Sequence, residues 1–263
     1  MKIETRYFLS NGLKLLQQNR KRLLVPAILY AFFGFLISNQ GWIPINVEPL
    51  NIVSVLRFIL LMIVGTFLSS LAYIGVFLTA KECLDSSNSS LLAIYKQAFI
   101  SFWPVLGYSF LLSLILTPIW VLFTVLFFIA PYYFLQLVII VTGILIGIVV
   151  FSSGFLLMIS VITDFQSAKH LRRIIKMTKN YFVPVMLIIN ISYPIVLLVA
   201  SLVFLQTLEL SRPLLMIKDI LTAFVYMFFI PYSAFVQIPL YRELKERINN
   251  VDSNQQHIVN EQI

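Results

Sequence analysis

The sequence predicts an all-α, polytopic integral membrane protein with six transmembrane helices and amphipathic cytoplasmic interfacial helices. Three observations lead there. Of the 263 residues, 60% are hydrophobic and only 11% are charged, where a soluble domain carries roughly 25% charged residues. A chain this apolar cannot hide its side chains in one water-soluble core, so the bilayer has to be most of its solvent. The apolar residues fall into six runs long enough to cross, at about 23–38, 52–80, 105–128, 134–163, 183–206 and 219–240. The bases behind the net charge of +8 lie in clusters between these runs, where they set topology and meet anionic head groups, so nucleic acid is not an expected partner.

The opening stretch, "MKIETRYFLSNGLKLLQQNRKR", lacks the apolar core and small-residue cleavage site of a signal peptide, and the first span is expected to be retained. That span is the shortest, with Lys21 and Arg22 as snorkelling ends. The second carries Arg57 about five residues in, beside Glu48; it reads as a topological anchor in preference to an anion contact. Only "IAPYY" separates the third and fourth runs, which requires a tight hairpin. The fourth exceeds the ~20 residues that cross a bilayer and should tilt or protrude. Its "GILIG", Gly143 to Gly147, fits small-residue packing, either inside the monomer or between copies in a homo-oligomer. Pro118, Pro194 and Pro231 sit inside the third, fifth and sixth spans. Each frees a carbonyl and should kink its helix, and such a kink can open a lipid-lined groove or be inert. Residues 248–263 are polar and aperiodic, and are expected to form a mobile cytoplasmic tail after a single transmembrane domain of residues 1–247.

An even number of spans puts both termini on one side. Sixteen of the nineteen Lys and Arg residues fall in the N-terminal stretch, the second and fourth connections and the tail, against three on the other side, Arg57, Arg212 and Lys218. The bias is positive-inside, so both termini are expected in the cytoplasm.

Prolines begin the odd-numbered spans at Pro26, Pro104 and Pro184, 78 and 80 residues apart. Thirteen residues before them stand Leu13, Leu91 and Leu171, and ten before stand Leu16, Ile94 and Ile174. A step of three with polar residues between makes one apolar stripe on a helix. The period suggests three repeats, 5–80, 88–163 and 167–241, each an interfacial helix followed by a transmembrane hairpin. Proline suits the first turn of a spanning helix, where its missing N–H costs no hydrogen bond. The third interfacial helix carries five bases, Lys169, Arg172, Arg173, Lys176 and Lys179, as candidate anionic-lipid contacts.

Catalytic and metal chemistry find little footing. The two histidines, His170 and His257, are far apart in the chain and have no second ligand at metal spacing. One cysteine, Cys83, precludes an intrachain disulfide and a cysteine cage. No span holds His, Lys, Asp or Glu at its middle, where an intramembrane hydrolase or ion relay would need one. Asn190 and scattered hydroxyls are the only midplane polar groups, and the hydroxyls should bond to their own helix backbone. There is no Walker motif or Gly-rich phosphate loop. The sequon at Asn88 falls on the cytoplasmic side and should stay unmodified. Neither enzyme activity nor a cofactor is expected.

Over residues 5–247 the chain resembles a six-helix prokaryotic membrane-domain family. That group includes the membrane domain of glycerophosphoryl diester phosphodiesterases and many uncharacterised membrane proteins. The resemblance lies in the opening "FLSNGLKLLQQNRKRLLVPAIL", in "IYKQAFISFWPVLGYSF" before the third span, and in Asp164 and Ser167 ahead of "LRRIIKMTKNYFVPVML". The aromatic and basic ending "IPLYRELKER" completes it. It implies architecture and the plasma (inner) membrane of a bacterium or archaeon; the diesterases carry their chemistry in a soluble domain that has no counterpart here. The expectation is a non-enzymatic membrane protein that organises lipid or protein partners through its cytoplasmic helices. The alternative is the membrane subunit of a transporter or export permease that relies on a partner ATPase.

Overall fold

The computed structural model describes residues 3–38, 52–129, 132–164, 179, 181–192 and 212–261. Among these the regular elements are all helices: α1 (Thr5–Ser38), α2 (Ile52–Leu84), α3 (Leu91–Ile129), α4 (Tyr133–Asp164), α5 (Phe182–Ser192) and α6 (Arg212–Glu261). Among the described residues four stretches are long and apolar enough to cross a membrane: Ile63–Leu84, Leu91–Ile129, Tyr133–Asp164 and Ala223–Asn249. The apolar part of α1 begins only at Leu23, short of the ~20 residues a crossing needs. Of the expected fifth span, residues 193–206 lie outside the described residues, Pro194 among them.

The helices depart from expectation at the prolines. Pro26 lies inside α1 and Pro104 inside α3, so there is no separate interfacial helix ahead of either span. Each pair is one helix, of 34 and 39 residues, or about 51 and 58 Å at 1.5 Å per residue. The reason is backbone economy. A proline in a continuing helix leaves one carbonyl without its donor, whereas a helix end leaves up to four donors and four acceptors to be satisfied elsewhere. α3 likewise runs through Pro118, and α6 through Pro231. The polar end of the chain also differs from an aperiodic tail: α6 continues to Glu261. No Gly or Pro follows Pro239, and Glu, Gln, Lys and Arg favour helix wherever a helix already runs into them.

The two described copies of the proline motif bury the same offsets. Leu16 and Ile94, ten residues before the proline, are buried, as are Ala27 and Val105 just after it, while Leu13 and Leu91 are exposed. The third copy's Leu171 and Ile174 lie outside the described residues.

The chain forms two compact units. One comprises Ser10–Phe102 and Ser192–Phe235, the other Met1–Leu9, Trp103–Ile191 and Val236–Ile263. In the first, the second half of α2 is buried on every side from Ile74 to Ala80. The same unit also buries Leu16, Leu23, Ala27 and Ala31 of α1, the α3 residues Ile94, Ala98 and Phe102, and Ile230 and Ala234 of α6. Phe67 meets Phe102 edge-on at 4.7 Å between ring centres, and Tyr30 contacts Tyr73 at 5.6 Å and Tyr226 at 5.7 Å. In the second unit the core is Leu156–Thr163 of α4, Val185–Ile189 of α5 and Val236–Ile248 of α6. The first core contains Ala27, Ala31, Ala72, Ala80, Ala98 and Ala234, and the second Ser152, Ser160 and Thr163, small residues that fit helices associating in lipid through close backbone approach instead of the hydrophobic effect. The span hydroxyls mostly bond to their own helix: Thr79 to Gly75 O, Thr124 to Trp120 O, Thr142 to Val138 O and Ser153 to Val149 O, all at 2.7–2.9 Å.

Candidate functional site

Polar chemistry gathers at two helix ends, one in each unit. In the first, α2 stops in a Schellman turn. Ser86 takes a positive φ of 54°, its N–H donates to Cys83 O at 3.4 Å, and Ser87 N–H donates to Glu82 O at 3.0 Å, which satisfies carbonyls the helix end would leave bare. Four residues on, Ser90 caps α3: its Oγ accepts from Ala93 N–H at 3.3 Å and its carbonyl from Ile94 N–H at 3.1 Å. Side chains then fasten the turn. The Glu82 carboxylate accepts from Ser89 N–H at 3.0 Å and from Ser89 Oγ at 2.7 Å. Arg22 Nη1, from α1, donates to Ser87 O at 3.0 Å. Arg22 is therefore a tie to the turn, and of the two bases expected at that helix level only Lys21 is exposed.

In the second unit Asp164 is the last residue of α4, where a negative charge opposes the helix dipole. The offset comes from α6. Lys245 Nζ and Tyr241 Oη both donate to Asp164 Oδ2, each at 2.7 Å. Tyr241 and Lys245 are four apart and so share a helix face. Two residues further, Arg247 pairs with Glu243 and lies over the Tyr181 ring, 5.6 Å from its centre, a cation–π distance. These contacts tie α4 and the lead into α5 to α6. Among the described residues no cluster of three or more His, Cys, Asp or Glu could hold a metal.

An apolar groove of about 240 Å³ runs between α1 and α6 in the first unit, lined by Ile28, Ala31, Phe32, Ile220, Ala223, Phe224 and Met227. The Tyr30–Tyr226 ring contact holds the two helices together beside it.

Of the expected lipid contacts, Lys169, Arg172, Arg173 and Lys176 lie outside the described residues, and Lys179 is exposed. Arg57 lies on α2 with its side chain outside the described residues. Gly143 and Gly147 face α3 of the same chain: a Cβ at Gly143 would stand 3.4 Å from Phe123, and one at Gly147 3.5 Å from Trp120. No sequence pattern marks the Arg22–Ser87 tie or the groove. In the sequence Asp164 stands out only through the family resemblance, and Lys245 is one base among the tail's three. A charge of the wrong sign for its helix end was the signal available for Asp164; its partners stand 77 and 81 residues away, beyond any local pattern. Comparison with protein-family models, with curated proteins and with solved structures finds no match for this chain.

Proposed function

We propose that the chain is a six-span integral protein of a bacterial or archaeal plasma membrane, both termini cytoplasmic, which organises lipid or protein partners and catalyses no reaction itself. One observation carries the membrane part of this reading. The most apolar windows of α3 and α4 are 0% and 7% buried, against 44% and 50% for those of α2 and α6. Phe110, Leu114, Trp120, Leu137 and Val141 all stand exposed along that hairpin. In water a surface of this kind drives aggregation, whereas in hydrocarbon it costs nothing, and a helix keeps its backbone bonds internal there. The charged turn at Arg22 and Glu82 and the tie at Asp164 stand where α2 and α4 end, as helices that emerge into water require. The resemblance to the six-helix membrane-domain family enters for architecture alone.

The basic run Lys169–Lys179 is the lipid contact in this proposal. Replacing Arg172, Arg173 and Lys176 together by Glu should lower the anionic lipid that co-purifies with the protein, since each base near such a membrane contributes about 1 kcal/mol, or roughly fivefold. The melting temperature in detergent should hold. Unchanged lipid retention would mean that these charges serve insertion only and would remove the lipid-organising role.

A further inference from the structure

The α1–α6 groove has a chemical character that the proposed function does not use. We propose that it seats one acyl chain of an anionic phospholipid whose head group is met by Lys21, with Lys14 beyond it; the proposal rests on the membrane reading above. The groove's volume of about 240 Å³ falls below the roughly 300–1,000 Å³ of sites for compact small molecules, and it lacks the polar groups that orient such ligands. Ala31 is buried and forms the floor, while Ile28, Phe32, Ile220 and Phe224 are exposed and stand as rims. An apolar trough of this kind suits a length of hydrocarbon.

Charge decides which lipid. Lys14, Lys21 and Ile28 follow one another at steps of seven, two helical turns that drift by only about 20°. They therefore share one face of α1, with Gln17 between them. Lys14, Gln17 and Lys21 are exposed, and neither lysine is in an ion pair among the described residues. Lys21 stands about 10 Å along the axis from Ile28, the separation at which an ammonium meets a phosphate while a chain descends into the groove. Lys14 adds positive potential within a further Debye length or so. Other bases of the N-terminal stretch do not share this alignment: Arg22 is held by Ser87.

The full chain in nanodiscs of phosphatidylcholine and phosphatidylglycerol tests this, with trace phosphatidylglycerol carrying a diazirine at mid-chain. After illumination, adducts on Ile28–Phe32 and Ile220–Phe224 should exceed those on the α3 segment Phe110–Leu114 several-fold. Lys14→Gln with Lys21→Gln should lower the groove adducts by at least roughly fivefold, most of it from Lys21, and leave those on α3 unchanged. Ala223→Phe should lower them by filling the groove, and a phosphatidylcholine probe should be indifferent to the lysines. Equal labelling of groove and α3, or groove labelling indifferent to both lysines, would overturn the site while the membrane reading stands. Absence of adducts on α3 as well would overturn the membrane reading itself.

Discussion

At Gly75 the backbone of α2 comes so close to α3 that an added Cβ would stand 2.9 Å from Cε1 of Tyr95 and 3.3 Å from its hydroxyl. Tyr95 is half-buried and its hydroxyl is buried without a hydrogen-bond partner among the described residues, so the ring or the backbone has to shift to admit the methyl group. Gly75→Ala should therefore destabilise the protein by about 1–3 kcal/mol, the range for overpacking. Gly107→Ala, where nothing lies within 4 Å, should be neutral or stabilising because alanine favours helix. Thermal melting of the two variants in one detergent gives the comparison. Ser86 presents the opposite case. It occupies the left-handed position of the α2 turn with φ 54°, a site glycine fills without Cβ strain. Ser86→Gly should raise stability by up to about 1 kcal/mol, and a lowered melting temperature would show that the serine side chain contributes more than its backbone strain costs.

At the scale of elements, the α4–α6 tie sets the sharpest expectation. Asp164→Ala removes the acceptor of both Lys245 and Tyr241 and should cost about 1–3 kcal/mol, typical of hydrogen bonds to a charged group. Asp164→Asn keeps an acceptor for Tyr241 but loses the charge that faces Lys245, and should cost less. Equal losses in melting temperature would mean that the carboxylate charge carries the whole tie and that a neutral acceptor for Tyr241 adds nothing. Helix existence was legible in the apolar runs: expected ends at 38, 80, 128 and 163 compare with Ser38, Leu84, Ile129 and Asp164. Continuity at Pro26 and Pro104 was not, because proline reads equally as a first-turn residue or as one lost bond inside a helix. The continuation of α6 to Glu261 escaped for a related reason. Polar residues carry no period to detect, yet they extend a helix that packing has already nucleated.

At the scale of the molecule, the solvent of the α3–α4 hairpin decides the account. Composition announced lipid, and the exposed aromatic and aliphatic residues of α3 and α4 ask for it residue by residue. The candidate sites were far less legible, since each joins residues from distant parts of the chain: Arg22 with Ser87, Asp164 with Lys245, Ile28 with Phe224. The most direct measurement places the two ends of α3 on opposite sides of a bilayer. Asn88→Cys and Tyr132→Cys, each in a Cys83→Ser background, put single thiols at exposed positions before and after that helix. In sealed right-side-out vesicles an impermeant thiol reagent should label Tyr132→Cys at once and reach Asn88→Cys, like native Cys83, only after the membrane is opened. Labelling of Asn88→Cys in intact vesicles, or labelling of both positions from one side, would contradict the topology and the lipid-facing hairpin with it.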